Sequence, residues 1–186
     1  MACSLTLTGR SLPCRDALGG VKKVWIATSF NADATVSFVE GMWDAVASGE
    51  IPDASAALIL KDYVSPKNSS SLTQTVNASV ENGTVFYSQV LSLVLNKPVA
   101  ADITEIQNLA KGRLAIVVQD SNDNYFVMGH TRGVELTGGT IASGTALGDL
   151  NGYTLEFTAE EAIPAPFLDR ATAEAPTGSV TFTTTT

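Results

Sequence analysis

Four groups of residues have types and spacings that belong to chemistry, and each is short of something. Asp120-Ser121-Asn122-Asp123-Asn124 opens like a calcium loop, with oxygen ligands at alternate positions. Such a loop needs glycine at its sixth position and a bidentate glutamate at its twelfth, where this chain has Tyr125 and Thr131. A hairpin turn explains the same residues. Gly139-Thr140-Ile141-Ala142-Ser143-Gly144-Thr145 has the glycine spacing of a phosphate-cradling loop but lacks the lysine and a strand-to-helix passage around it. His130 is the one histidine, and a general base needs a nucleophile and an orienting acid that the sequence does not supply beside it. The pair Glu160-Glu161 reads as a solvated strand edge.

Cys3 and Cys14 are the two cysteines. They could close a small loop, but two isolated thiols are more often reduced, and they are too few for a zinc site. Asn68-Ser69-Ser70, Asn77-Ala78-Ser79 and Asn82-Gly83-Thr84 match the glycosylation pattern; without a visible secretion signal they read as polar loop and strand residues. The expectation is no catalytic residue, no cofactor and no metal.

Composition narrows the class further. Only 16% of the 186 residues are charged while 45% are apolar, so the surface must be rich in Ser, Thr, Asn and Gly, a composition often found against other protein. The net charge of −8 comes with scattered basic residues, Lys22-Lys23 being an adjacent pair. A nucleic-acid binder needs a basic stripe to displace counterions, and none is present. Met1-Ala2-Cys3-Ser4-Leu5 does not start like a signal peptide, and no apolar run reaches the ~18 residues of a membrane helix. A soluble protein made in the cytoplasm, without a membrane partner, is expected.

The elements that would position any site are mostly strands. An N-terminal arm over 1–20 leads into a single β-rich domain over 21–168, followed by an Ala/Thr-rich C-terminal arm over 169–186. Val21–Ala27 and Ala57–Val64 read as strands, with 31–56 unassigned between them. Leu72–Val80 alternates apolar and polar residues, then Glu81-Asn82-Gly83 turns the chain into Thr84–Asn96. On that second strand Tyr87, Leu91, Leu93 and Leu95 share one face and Phe86, Val90 and Val94 the other. Both faces therefore want cover. Asp102 as N-cap, Glu105 as capping-box partner and Gly112 as stop frame a helix whose stripe of Ile103, Ile106, Leu109 and Ala110 should lie on Phe86, Val90 and Val94. Arg113–Val118 and Tyr125–Gly129 form a second hairpin. Thr137–Gly152 has too many glycines for a regular element, and Tyr153–Phe157 is the last clear strand.

Leu12–Lys22, Gly133–Thr140, Ser143–Ala146 and Gly148–Tyr153, joined by the strand–helix–strand of Phe86–Leu114, give the chain its resemblance to tailed-bacteriophage virion structural proteins of the tail-tube kind. The resemblance spans most of Cys3–Pro166. It implies a mainly β fold, a β-sandwich or barrel with one flanking helix, whose strands complete an inner barrel in a hexameric ring. It also implies stacked rings in the virion tail, other tail proteins as neighbours, and DNA passing through the lumen without specific binding. Subunit contacts are then expected at Phe86, Val90, Leu91, Leu93 and Val94, and at Thr137, Gly138, Gly139, Gly144, Asp149 and Asn151. A capsid decoration or neck-ring protein is the alternative within that class. A carbohydrate- or ligand-binding β-sandwich module is the alternative outside it, with Trp25, Trp43, Tyr87 and Tyr125 as the candidate aromatic platform.

Overall fold

A computed structural model describes residues 17–28, 58–168 and 180–183. Cys3, Cys14, Trp43, the unassigned stretch 31–56 and most of both arms lie outside these residues.

The described chain is mainly β, with two sheets and one helix. Strands β1 (Val21–Thr28), β2 (Leu58–Tyr63), β5 (Leu114–Asp120), β6 (Tyr125–Met128), β9 (Phe167–Leu168) and β10 (Val180–Thr183) make a sheet of order β10-β2-β1-β5-β6-β9. Its pairs are antiparallel except β10 on β2, through which the C-terminal arm contributes a parallel strand. Strands β3 (Ser71–Ser79), β4 (Thr84–Asn96), β7 (Glu135–Ala142) and β8 (Gly152–Glu161) make an antiparallel sheet of order β3-β4-β8-β7.

The sheets share one apolar core, the arrangement of a sandwich. Val24, Ile26, Ile116, Val118 and Met128 come from the first sheet, and Leu91, Leu93, Leu155 and Phe157 from the second. Leaving water is worth roughly 1.5–3 kcal/mol for each such side chain when fully buried. β5 is buried on both faces, including Ala115 and Val117, which is why its sequence is continuously apolar rather than alternating. β4 departs from expectation here. Leu91 and Leu93 are buried, whereas Val90 and Val94 stay half-buried and Phe86 is exposed; the helix does not lie on that second face.

Helix α1 spans Ala100–Leu109, starting three residues earlier than Asp102 as N-cap would allow. Val99 occupies the cap position, and Asp102 in the first turn accepts the Val99 N–H through Oδ2 at 2.8 Å. Glu105 cannot reciprocate, because its carboxylate takes the Tyr63 hydroxyl on β2. The helix ends at Ala110 in right-handed conformation, without a left-handed Gly112. Leu109 and Ile106 join the core, and Ile103 faces outward.

The glycine-rich stretch is regular where loop was expected. β7 runs through Gly138 and Gly139, with a bulge between Leu136 and Gly138. At the bulge the Thr137 hydroxyl lies 2.8 Å from that of Thr158 on β8. A Cβ on Gly139 would come within 3.0 Å of the Thr154 carbonyl, so this glycine permits a close strand approach. The β3–β4 turn uses a left-handed Gly83 alone, not an Asn82-Gly83 pair, over the four residues 80–83.

Crossing from the first sheet to the second is the work of Gly129–Gly133. Gly129 has φ +69°, and a Cβ there would meet the Gly133 backbone at 2.6 Å. Two buried polar side chains of the second sheet hold this crossing. Gln89 accepts the Gly129 N–H at 3.1 Å, and Glu161 accepts those of Thr131 and Arg132 at 3.0 and 2.7 Å. Glu161 is thus no solvated edge residue; its neighbour Glu160 is exposed.

Candidate functional site

The residues with reactive composition serve the fold. Asp120 closes its own turn, accepting the N–H groups of Asn122 and Asn124 through Oδ1, both at 2.8 Å, and their side-chain amides through Oδ2. Asn122 in turn clasps Leu18, taking its N–H and donating to its carbonyl, each at 2.7 Å. Lys22 reaches Asp123 at 2.7 Å. The would-be calcium ligands are therefore the buckle that fastens the start of β1 to the β5–β6 turn. Gly139–Thr145 runs from strand into loop, with no helix behind it. No group of three or more His, Cys, Asp or Glu suited to a metal ion occurs among the described residues, and no described helix is long and apolar enough to cross a membrane.

A recess of about 330 Å³ opens between α1 and β1–β2, lined by Ile26, Lys61, Tyr63, Thr104, Glu105 and Asn108 among others. Its polar centre is the Tyr63–Glu105 hydrogen bond. Burial first, and then the Glu105 carboxylate, push the Tyr63 hydroxyl far above its ordinary range. The pair is therefore a neutral phenol held by a carboxylate, a clasp between helix and sheet and not a nucleophile with its base.

The distinctive surface is the four-stranded sheet. Its ladder places Thr73, Thr75, Asn77, Phe86, Ser88, Val90, Ser92, Val94, Thr154, Glu156, Thr158 and Glu160 on the side away from the core. Glu135 and Thr140 of β7 share that side. The ionisable strand residues of this face are Glu135, Glu156 and Glu160, with no lysine or arginine among them, and Arg113, just before β5, reaches Glu135 at 3.5 Å.

The sheet's two edges are the second feature. β3 and β7 each have a single strand partner, and among the described residues the backbone hydrogen bonds from another segment that come nearest are those of the Leu114–Val134 bridge just before β7. β3 is nine residues long, Ser-Leu-Thr-Gln-Thr-Val-Asn-Ala-Ser, with no charge, no proline and no bulge. Soluble proteins usually blunt a long edge with one of those devices. Because successive strands alternate in direction, β7 runs opposite to β3.

The expected contact residues divide on this frame. Phe86, Val90 and Val94 lie on the outer face, and Thr137, Gly138 and Gly139 on the β7 edge strand. Gly144, Asp149 and Asn151 lie in the exposed loop after β7. There Asp149 accepts the N–H groups of Thr145 and Ala146 at 2.9 and 2.7 Å, and these two bonds hold its carboxyl below the usual range. Leu91 and Leu93 are corrected: both are wholly buried in the chain's own core and reach no neighbour. Trp25 and Tyr125 are buried too, their rings 5.7 Å apart, so they offer no platform for a sugar, and Tyr87 is half-buried. The acidic face was missed, although Glu156 and Glu160 at even spacing on an alternating strand already carry that signal.

No family model, curated protein or solved structure matches the chain.

Proposed function

We propose that the chain is a self-assembling structural subunit of the tailed-phage tail-tube type, building stacked rings that conduct DNA, without catalysis. The observation that carries this reading is the long, uncharged β3 edge with an opposed β7 edge, likewise without a second strand partner, on the same sheet. Rotating a second copy about an axis along the strands sets its β3 beside β7 of the first with antiparallel polarity. The ladder then continues from copy to copy, a heterologous contact that closes into a ring, and the edges that invite uncontrolled aggregation are consumed.

The outer face supports the conduit part of the reading. Glu156 and Glu160 sit among hydroxyl-bearing side chains, while Glu135 is paired with Arg113 at 3.5 Å, so a lumen lined by the β8 part of this face repels phosphate and offers DNA no strand lysine or arginine to grip. The resemblance noted in the sequence supplies the expectation of six copies per ring.

Cysteine cross-linking tests the seam. Thr75→Cys on β3 combined with Thr140→Cys on β7, in a background with Cys3 and Cys14 replaced by serine, should give a ladder of disulfide-linked oligomers ending at a ring. Electron microscopy of the unmodified protein should show rings or tubes. A protein that remains monomeric at high concentration, with no ladder from this or the Thr73→Cys pairing, rules the reading out.

A further inference from the structure

The strands of the outer sheet end in two unlike surfaces. Its longest strand, β4, covers thirteen residues, or about 41 Å at roughly 3.4 Å per residue. At one end Ser79 pairs with Thr84 and the β3–β4 turn carries Val80, 98% exposed, next to Glu81. Val76 and Val85 are exposed just behind it. At the other end Asn96 pairs with Gly152, and the Lys97 N–H donates to the Asn151 carbonyl at 2.9 Å, tying the β4–α1 connection to the loop after β7. Here Leu147, Leu150 and Val99 are exposed, Leu147 completely.

The second surface is built and not slack. The two bonds from Asp149 to the amides of Thr145 and Ala146 fix the backbone that presents Leu147. The carboxylates at that end, Asp102 and Asp149, are both taken up by backbone N–H groups, which leaves Lys97 as the exposed charge not bound to backbone. At the opposite end Glu81 is the charge of the turn. Neither Glu81 nor Lys97 forms an ion pair within the described chain.

We propose that these two ends mate between copies. The Val80–Glu81 turn of one subunit docks on the Leu147 loop of the next subunit along the strand direction, with Glu81 meeting Lys97. A second copy is the occupant that fits, because both ends expose apolar side chains and each carries the charge opposite to the other's. Tip-to-tip pairing would set Glu81 against Glu81 and leave Leu147 bare. The head-to-tail contact covers both ends and grows without limit along the strands, with an axial repeat set by the ~41 Å of β4 plus the turn and loop at its ends, shortened by any strand tilt.

The inference rests on the self-assembly reading, and its test separates the two. Leu147→Asp, Glu81→Lys, Lys97→Glu and the double variant Glu81→Lys/Lys97→Glu are compared with the unmodified protein by electron microscopy and by the β3–β7 cross-link. Leu147 and Glu81 are exposed, so these variants fold. Single variants should keep the lateral cross-link but stop at unstacked rings, and the double charge swap should restore stacking above either single variant. Tubes of unchanged length in Leu147→Asp and Glu81→Lys, or a double variant no better than the singles, overturn the axial contact alone. Absence of rings and cross-links in the unmodified protein overturns the assembly reading and this inference with it.

Discussion

Gln89 of the outer sheet and Gly129 at the exit of β6 are joined by a buried hydrogen bond of 3.1 Å, in which the Gly129 N–H donates to Oε1 of a side chain with no exposure. The other end of the same amide donates to the Ile163 carbonyl at 3.4 Å. One side chain thus holds both connections that leave the sheets at this end, the β6–β7 crossing and the segment after β8. Gln89→Leu would keep the volume but strand the Gly129 N–H, costing about 1–3 kcal/mol. Urea unfolding should show that loss, and an unchanged midpoint would refute the role.

Gly152 has its own consequence. A Cβ at this position would lie 2.1 Å from the Leu95 carbonyl, a backbone atom that cannot swing aside. Gly152→Ala must therefore shift the β4–β8 register end or part the strands, at a cost of about 1–3 kcal/mol or more, the scale of overpacking. Thermal unfolding checks it, with Gly148→Ala, in open space, as the control that should change little.

The Tyr63–Glu105 clasp predicts a response to alkali. The folded state holds the Tyr63 hydroxyl above its ordinary 10.0 through burial and then through Glu105. The stabilisation from keeping the phenol protonated is therefore complete below pH 10 and falls as pH rises through and above that value, where the unfolded chain ionises first. Tyr63→Phe should be less stable than the unmodified protein at neutral pH and should converge on it above pH 10. Urea midpoints for both proteins between pH 8 and 11 measure this, and a constant gap would remove Tyr63 as the titrating group.

If the outer face lines a conduit as proposed, charge reversal on it should convert a surface that DNA slides past into one that it grips. Glu156→Lys/Glu160→Lys places two cations two strand steps apart on the exposed side of β8. Fluorescence anisotropy with duplex DNA should give salt-sensitive binding for the double variant and none for the unmodified protein. Equal binding by both would count against an acidic conduit.

The strands were legible in the sequence wherever their environment was one-sided. Thr84–Asn96 stands at its expected bounds because a turn and a helix bracket it, and β8 alternates in the residues as it does in the fold. β7 was not legible, since its pairing depends on β8 and a bulge that composition does not encode. Asp102 was read one helical turn step out of place because a first-turn acid and an N-cap acid have the same local signature, and only the Glu105–Tyr63 bond distinguishes them. Glu161 looked like half of a solvated pair because its partners, the amides of Thr131 and Arg132, lie thirty residues away in a crossing loop. The candidate surface was half legible: Phe86, Val90 and Val94 are on it, while Leu91 and Leu93 alternate into the core.

The outer sheet has an even number of strands, and this bears on how copies count themselves. With four alternating strands, a seam between neighbours in the proposed ring would have the same polarity as every seam inside a subunit, so backbone pairing would close equally well around five, six or seven members. The number must then come from curvature. On the proposed assembly the Leu136–Gly138 bulge, which bends the edge strand, is the place where a deletion of Thr137 should yield circles of a different size.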